Sequence, residues 1–134
     1  MSGQPSAEQL APAHAIARFI ATGDDAALIG VFAREVTIIE NFTPHIFNDA
    51  ASWRTEMRAH RAPLSDLGFS FAPALDFSVH EDRAFFCLPV TWTGKLHGKP
   101  FRELGGKSLV LGREDGVWRV AAYAWSVIEM TFTQ

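Results

Sequence analysis

The spacing of apolar residues predicts helices in the first half of the chain. Apolar side chains recur every three to four residues from Leu10 to Ile20, which indicates a helix capped by Ser6 and stopped by Gly23. Pro12 lies inside this pattern, so a helix start nearer to Pro12 also fits it. The next segment, "DDAALIGVFAR", predicts a second, short helix that opens at one of its two aspartates.

A strand and a third helix follow. The β-branched segment "VTIIENF" predicts a strand that begins at Val36, and "TPHIFND" predicts the connection after it. Either Asn48 or Asp49 caps a predicted helix in "AASWRTEMRAHRAPLSDLG". Pro63 and Gly68 mark the gradual end of this helix.

The hydrophobic period changes to alternation after Gly68, which predicts four long strands joined by short turns, an antiparallel meander. Their sequences are "FSFAPALDFSVH", "AFFCLPVTWTGKL", "FRELGGKSLVLGR" and "VWRVAAYAWSVIEMTF". Pro73 makes the first of them an edge strand or a bulged one. One face of this strand is expected to carry its apolar residues, namely Phe69, Phe71, Leu75, Phe77 and Val79.

Several of these strands are apolar on both faces, as in "AFFCLPV", "SLVLG" and "VAAYAWSVI". Such runs indicate that both faces of the sheet are covered. The helices cover one face, and a second copy of the chain is expected on the other. We therefore predict a homodimer through the sheet face, with Tyr123 or Trp125 as anchors.

Composition predicts one soluble globular domain over residues 1–134, with a loose tail at residues 1–6. The chain has 134 residues, of which 48% are hydrophobic and 20% charged. No apolar run approaches the roughly 20 residues that span a bilayer, and "MSGQPSAEQLAPAH" lacks the features of a secretory signal. The single cysteine, Cys87, excludes an internal disulfide, and its apolar surroundings indicate an inert thiol. We expect a cytoplasmic protein without membrane association.

The formal net charge is −3, which does not favour nucleic acid as a partner. The densest basic stretch, "WRTEMRAHR", is more typical of a solvated helix face. Eleven Phe and four Trp are more informative, because aromatic residues at this density build either a thick core or an apolar pocket.

The order of elements resembles the nuclear transport factor 2-like superfamily, which includes ketosteroid isomerase, scytalone dehydratase and polyketide-cyclase-like proteins. The resemblance covers residues 7–131, and its marks are "LIGVFAREVTIIEN", "WTGKLHGKPFRELGG" and "DGVWRVAAYAWS". It implies an α+β cone of the cystatin-like class, in which a strongly curved antiparallel sheet wraps around helices and leaves an apolar pocket. The superfamily contains both enzymes and binding modules, so this fold alone does not decide the function.

The resemblance also suggests where catalytic groups would lie. The ketosteroid isomerase pattern has an acidic base on the first strand, a Tyr on the first helix and a protonated Asp on a meander strand. Here Glu40 lies on the equivalent strand, the first helix offers His14 in place of a Tyr, and Glu103 is the central carboxylate of the meander. The scytalone dehydratase pattern suggests a set formed by His14, His60 and Tyr123.

Strand parity gives Glu40 two interpretations. If Ile38 faces inward, Glu40 does so too, and burial in an aromatic pocket would raise its pKa and suit it to act as a base. Alternatively, it is a strand-end carboxylate paired with Arg54 or Arg58. Glu103 is likewise either a cavity residue or an ion-pair partner, with Lys107 or Arg119 as its cation.

The remaining candidates are aromatic, thioether and imidazole side chains. Trp53, Met57, Phe42, Trp92 and Trp125 are expected in the core, with some of them, Trp53 foremost, contacting an apolar or aromatic ligand. The five histidines lack the spacing of a metal motif, so no metal site is predicted.

The sequence thus supports a small-molecule enzyme of the isomerase, dehydratase or cyclase kind that works without a cofactor. Glu40 would abstract a proton next to a carbonyl group, and His14 or His60 would polarise the oxygen. A non-catalytic ligand-binding module and a protein-assembly module of the same fold are the alternatives.

Overall fold

The computed structural model describes residues 3–133, which form two α-helices, one short 3-10 helix and a seven-stranded sheet. In chain order the elements are α1 (Ala7–Thr22), a 3-10 turn (Asp25–Leu28), β1 (Phe32–Ile39), β2 (Ile46–Phe47), α2 (Ala50–Arg61), β3 (Leu64–Phe71), β4 (Leu75–His80), β5 (Arg83–Leu96), β6 (Lys99–Glu114) and β7 (Val117–Phe132).

Helix α1 has the predicted ends. The Ser6 hydroxyl accepts a hydrogen bond from the Gln9 backbone N–H at 3.2 Å, and the Gln9 side chain accepts one from Ser6 N–H at 2.9 Å. Gly23 ends the helix in the left-handed conformation, with φ of 75°. Pro12 is accommodated inside the helix, so the start lies at Ala7 rather than next to the proline.

The predicted loose tail is shorter than expected. The side-chain amide of Gln4 makes two hydrogen bonds with the backbone of Ala74, at 2.7 and 3.0 Å, and Pro5 is buried. These contacts fix the segment before α1 against the turn between β3 and β4. Residues 1 and 2 of the predicted tail lie outside the described residues.

The second predicted helix is only a 3-10 turn, capped by the side chain of Asp24. Gly30 follows with φ of 73°, a conformation that ends helical geometry, and β1 begins at Phe32 rather than Val36. The strand starts early because this segment pairs with β7: Phe32 lies opposite Val120, whose N–H donates to the Val31 carbonyl at 2.8 Å.

Helix α2 is capped by Asp49, which accepts a hydrogen bond from the Ser52 N–H at 2.7 Å. The helix ends at Arg61, earlier than the predicted fading end near Gly68. The segment after it, β3, pairs antiparallel with β5, so its backbone hydrogen bonds come from the sheet.

The sheet order is β2-β1-β7-β6-β5-β3, with β4 also pairing with β5. The meander β5-β6-β7 is antiparallel as predicted, whereas β1 runs parallel to β7, so the sheet is mixed. The predicted strand around Pro73 is divided into β3 and β4 at the edge of the sheet. Its alternation is only partly kept, because Leu75 and Val79 are about half exposed instead of facing the core.

The strongly curved sheet places its concave face against the helices and confirms the predicted α+β cone. Side chains on this face alternate with those on the convex face along β5 and β6. The concave side forms the core, which includes Ile16, Phe19, Ile38, Trp53, Phe86, Leu88, Val90, Leu109, Leu111 and Val120. Tyr123 and Trp125, expected as anchors of an interface between copies, lie on this concave side instead.

Within residues 3–133, no helix has the length and apolar character needed to cross a membrane.

Candidate active site

Glu40 follows the last residue of β1 and keeps the inward direction of Val36 and Ile38. Its side chain is only 3% exposed. The β1–β2 connection fixes its backbone, because the Glu40 N–H donates to the His45 carbonyl at 2.8 Å. The predicted parity of this strand is therefore present in the structure, and it directs a carboxyl group into the concave side of the sheet.

Two donors from different elements hold the Glu40 carboxyl group. The indole N–H of Trp53, on α2, donates to Oε2 at 2.8 Å, and the Tyr123 hydroxyl, on β7, donates to the same oxygen. Because both hydrogen bonds end on Oε2, Oε1 is the oxygen that remains for a ligand. The alternative partners, Arg54 and Arg58, pair instead with Asp25, at 3.7 and 2.5 Å.

Lys107 lies on β6 in the same buried region. Its side chain is 2% exposed, and among residues 3–133 no atom accepts a hydrogen bond from Nζ. The Nζ atom lies 5.1 Å from the centroid of the Tyr123 ring, on which a cation is favoured. Glu40, Tyr123 and Lys107 therefore form a compact titratable cluster, with Trp53 as a fixed donor.

Burial shifts the pKa values of all three groups. It raises the pKa of Glu40, and the Tyr123 and Trp53 hydrogen bonds and the Lys107 charge oppose it. Burial also lowers the pKa of Lys107 to about 8, against the opposing attraction of Glu40. The pKa of Tyr123 lies well above its ordinary value because burial and then the Glu40 charge disfavour the phenolate. The cluster thus has an acid and an amine whose pKa values are moved toward neutral pH.

A cavity of about 410 Å³ opens beside this cluster. Its polar lining residues are Glu40, Asn41, His60, Glu103, Lys107 and Tyr123. Its larger apolar part includes Ile20, Phe42, Met57, Leu64, Leu67, Trp92, Leu96, Phe101, Trp125 and Met130. A volume of this size and an apolar wall with few polar groups are typical of small-molecule sites.

One glycine gives the cavity wall its shape. A Cβ atom at Gly105 would overlap the indole of Trp125. The absence of a side chain at this position therefore lets Trp125 lie against β6, where it lines the cavity next to Lys107, its cross-strand neighbour.

His60 and Glu103 line the cavity as well. The imidazole of His60 stacks on Phe42 with ring centroids 4.4 Å apart and planes 17° apart, and burial lowers its pKa. Burial raises the pKa of Glu103, and neither of its expected partners pairs with it. Arg119 instead lies 3.8 Å from Glu114 and donates to the Gly30 carbonyl at 2.6 Å.

The other predicted site residues differ in position. Met57, Phe42, Trp92 and Trp125 line the cavity, whereas Trp53 lies behind Glu40 as its hydrogen-bond donor. His14 is exposed on α1, does not line the cavity, and packs on the ring of Phe71 with ring centroids 4.6 Å apart. It is therefore not placed to act together with Glu40.

Lys107 was expected only as an ion-pair partner of Glu103, and its position in the cluster was not predicted. The signal in the sequence was its parity, because Lys107 precedes Leu109 and Leu111 by two and four residues and therefore shares their strand face, which faces the core. Metal ligands do not converge here, since no group of three or more His, Cys, Asp or Glu side chains within residues 3–133 could hold an ion.

Comparison with solved structures identifies the fold. A hexachlorocyclohexane dehydrochlorinase, LinA type 2, superposes with a TM-score of 0.81 at 10% identity, over 92% of this chain and 85% of that one. A protein from Kribbella flavida gives 0.79 at 14% identity, over 93% and 91% of the two chains. A ketosteroid isomerase-like protein from Erwinia carotovora atroseptica gives 0.72 at 16% identity, over 92% of each chain.

The chain is thus an α+β cone protein. Its particular fold is that of the nuclear transport factor 2-like superfamily, as the resemblance predicted. At these identities the likeness concerns the fold alone. The sequence matches no protein-family model and no curated protein.

Proposed function

We propose that the protein binds an apolar or aromatic carbonyl compound in the cavity and catalyses a cofactor-free proton transfer on it, as an isomerase, dehydratase or cyclase would. The observation that carries this proposal is the Glu40 carboxyl group. It is buried in the wall of an apolar cavity, and two donors hold one oxygen while the other remains for a ligand.

Glu40 would act as the base that takes a proton from the carbon next to the carbonyl group. Burial raises its pKa, so its carboxylate is a stronger proton acceptor than an exposed one and can return the proton at another atom. The hydrogen bonds from Trp53 and Tyr123 hold the carboxyl plane fixed, which reduces the reorganisation needed during the reaction.

The negative charge that develops on the carbonyl oxygen needs a donor. Lys107, whose charge lowers the pKa of Glu40, lines the cavity and is the first candidate for this donor. His60 is a second polar group in the same cavity wall. In a site from which water is largely excluded, such fixed charges and donors stabilise a developing oxyanion more than they would in water. Two of the structural neighbours carry the names of enzymes, which supports an enzymatic use of this fold.

The test is exchange of the α-proton with solvent. Wild-type protein is incubated in D₂O with a panel of apolar ketones, including 2-acetonaphthone and a cyclic enone, and deuterium in the ketone is measured by mass spectrometry. We expect exchange above that of buffer for at least one compound that also binds, as measured by the shift of the thermal unfolding midpoint. Binding without exchange across the panel would contradict the proposal.

One observation favours a non-catalytic ligand-binding module as a second candidate. Glu40 joins α2 to β7 through its two hydrogen bonds, which is also what a purely structural carboxyl group would do. Under this alternative the panel would bind in the cavity and no compound would exchange its α-proton.

We also propose that the convex face of the sheet joins two copies of the chain. Its central part consists of uncharged residues that share one side in the strand registers: Phe85, Cys87, Thr91, Leu104, Ser108, Val110, Ala122 and Ala124. A two-fold interface would place this uncharged part of the convex surface against itself. Light scattering at micromolar concentration is expected to give a dimer, and Ser108→Arg a monomer. Thr55→Arg, on the exposed side of α2, is the control; a monomeric wild type would refute the dimer.

A further inference from the structure

We propose that Lys107 is a nucleophile that forms an imine with an aldehyde or ketone bound in the cavity. This rests on the proposed function for the class of ligand, and it adds a covalent bond that the proton transfer alone does not need. The position of Lys107 within the cavity and the lack of an acceptor for its Nζ atom point to this role.

Lys107 differs from the other two lysines of the chain. Lys95 and Lys99 are exposed at the end of the β5–β6 hairpin, and Lys95 lies 3.4 Å from Asp66. A buried ammonium group is normally held by a carboxylate or by several hydrogen-bond acceptors, because its loss of hydration is costly. Within residues 3–133, Lys107 Nζ has no such acceptor, although its side chain forms part of the cavity wall.

The surroundings favour the neutral amine that imine formation requires. Burial lowers the pKa of Lys107 to about 8, so roughly a tenth of the protein molecules carry Lys107 as a neutral amine at pH 7. A lysine desolvated in an apolar pocket is one of the recognised forms of an activated amine nucleophile. The groups that face it are Glu40, which keeps it partly protonated, and the ring of Tyr123.

The step balances without any further reactant. The lone pair of the Lys107 nitrogen forms a bond to the carbonyl carbon while the carbonyl π electrons move to oxygen, which takes a proton. Nitrogen then loses one proton, the oxygen is protonated again and leaves as water, and a C=N bond forms. Overall, the ammonium form and the carbonyl compound give an iminium ion and one water molecule, and Glu40 is placed to relay the protons.

An iminium ion would also assist the proposed proton transfer. Its positive charge withdraws electrons from the neighbouring carbon, so the proton that Glu40 removes becomes more acidic. Removal of this proton gives a neutral enamine, and its return at the same or another carbon completes an exchange or an isomerisation.

Reductive trapping tests the imine. The full-length protein is incubated at pH 7.5 with 2-naphthaldehyde and sodium cyanoborohydride, which reduces an iminium ion to a stable secondary amine. The expected product carries one adduct, heavier by the mass of the aldehyde less one oxygen atom, and peptide mapping locates it at Lys107. An adduct confined to Lys95, Lys99 or the chain's amino terminus would overturn the proposal.

Two variants sharpen the result. Lys107→Met replaces the amine with an unbranched, uncharged side chain and should lose the adduct, whereas Lys95→Met should retain it at the wild-type rate. Circular dichroism establishes that Lys107→Met is folded, and if it is not, the wild-type peptide map alone decides. Competition by 2-acetonaphthone should slow trapping by naphthaldehyde at least about fivefold if both compounds occupy the cavity; unchanged trapping would contradict a cavity site.

The outcomes separate this inference from the proposed function. If wild type exchanges the α-proton of a ketone but gives no adduct at Lys107, proton transfer stands and the imine is wrong. If Lys107 is trapped but no ketone exchanges its α-proton, the imine stands and the proposed proton transfer is wrong.

Discussion

The Tyr123 hydroxyl donates a hydrogen bond to Oε2 of Glu40, which joins the middle of β7 to the residue after β1. The indole of Trp53 donates to the same oxygen from α2. The orientation of the carboxyl group therefore depends on three elements that pack together, and the Glu40 side chain cannot rotate freely without leaving buried donors unsatisfied.

Glu40→Gln should abolish proton exchange while the cavity still binds ketones. The amide is nearly the same size but cannot accept the proton, so we expect the exchange rate to fall by roughly a hundredfold to ten-thousandfold. Glu35→Gln, an exposed position on β1, is the matched control and should exchange at the wild-type rate. A Glu40→Gln variant that exchanges normally would exclude Glu40 as the base.

Tyr123→Phe should raise the pKa of Glu40 further. The Tyr123 hydrogen bond lowers this pKa against the effect of burial, so its removal leaves burial less opposed. The pH at which the carboxylate forms should increase, and the acidic limb of the exchange rate should move to higher pH with it. Trp53→Phe removes the second donor and should act in the same direction. A limb that moves to lower pH would contradict the assigned hydrogen bonds.

Lys107 should make the protein more stable as the pH increases from about 8 toward 10. Its pKa is lowered from 10.5 to about 8 by burial, so between these values the unfolded chain binds a proton that the folded chain does not. The free energy of unfolding must then increase with pH in this window, by about 2 kcal/mol up to pH 10. Above pH 10 the raised pKa of Tyr123 has the opposite effect, because the unfolded chain then loses a proton that the folded chain keeps.

Urea denaturation at pH 8, 9 and 10 measures this dependence. Lys107→Met should remove the increase, whereas Lys95→Met should keep it. If wild type and Lys107→Met show the same pH dependence, then Lys107 is not an amine with a lowered pKa in the folded protein.

Gly105→Ala should displace Trp125 from the cavity wall. The added methyl group would overlap the indole, and we expect a loss of about 1–3 kcal/mol in the free energy of unfolding. Ligand affinity should fall roughly tenfold because the wall changes shape. Gly68→Ala is the control, since its Cβ would meet Thr93 Oγ1 at an ordinary distance of 3.4 Å. Unchanged 2-acetonaphthone binding in Gly105→Ala would show that Trp125 does not shape the site.

The sequence predicted the elements whose causes are local. The capping residues Ser6 and Asp49, the stop at Gly23 and the alternation of the meander strands all act within a few residues, so their effects can be read from the chain alone. The error at the second predicted helix has a cause that is not local. Its apolar pattern was correct, but pairing with β7 extended β1 toward the amino terminus.

The candidate site shows the limit of local reasoning. The sequence by itself determined that Glu40 would share a strand face with Val36 and Ile38, because strand parity follows from backbone geometry. It left open whether that face is buried, and the structure shows that it is. Only the tertiary structure decided that Trp53, Lys107 and Tyr123 surround it, since these residues lie 13, 67 and 83 positions away in the chain and meet through the curvature and order of the sheet. Contacts between distant segments depend on packing, which no short sequence pattern encodes.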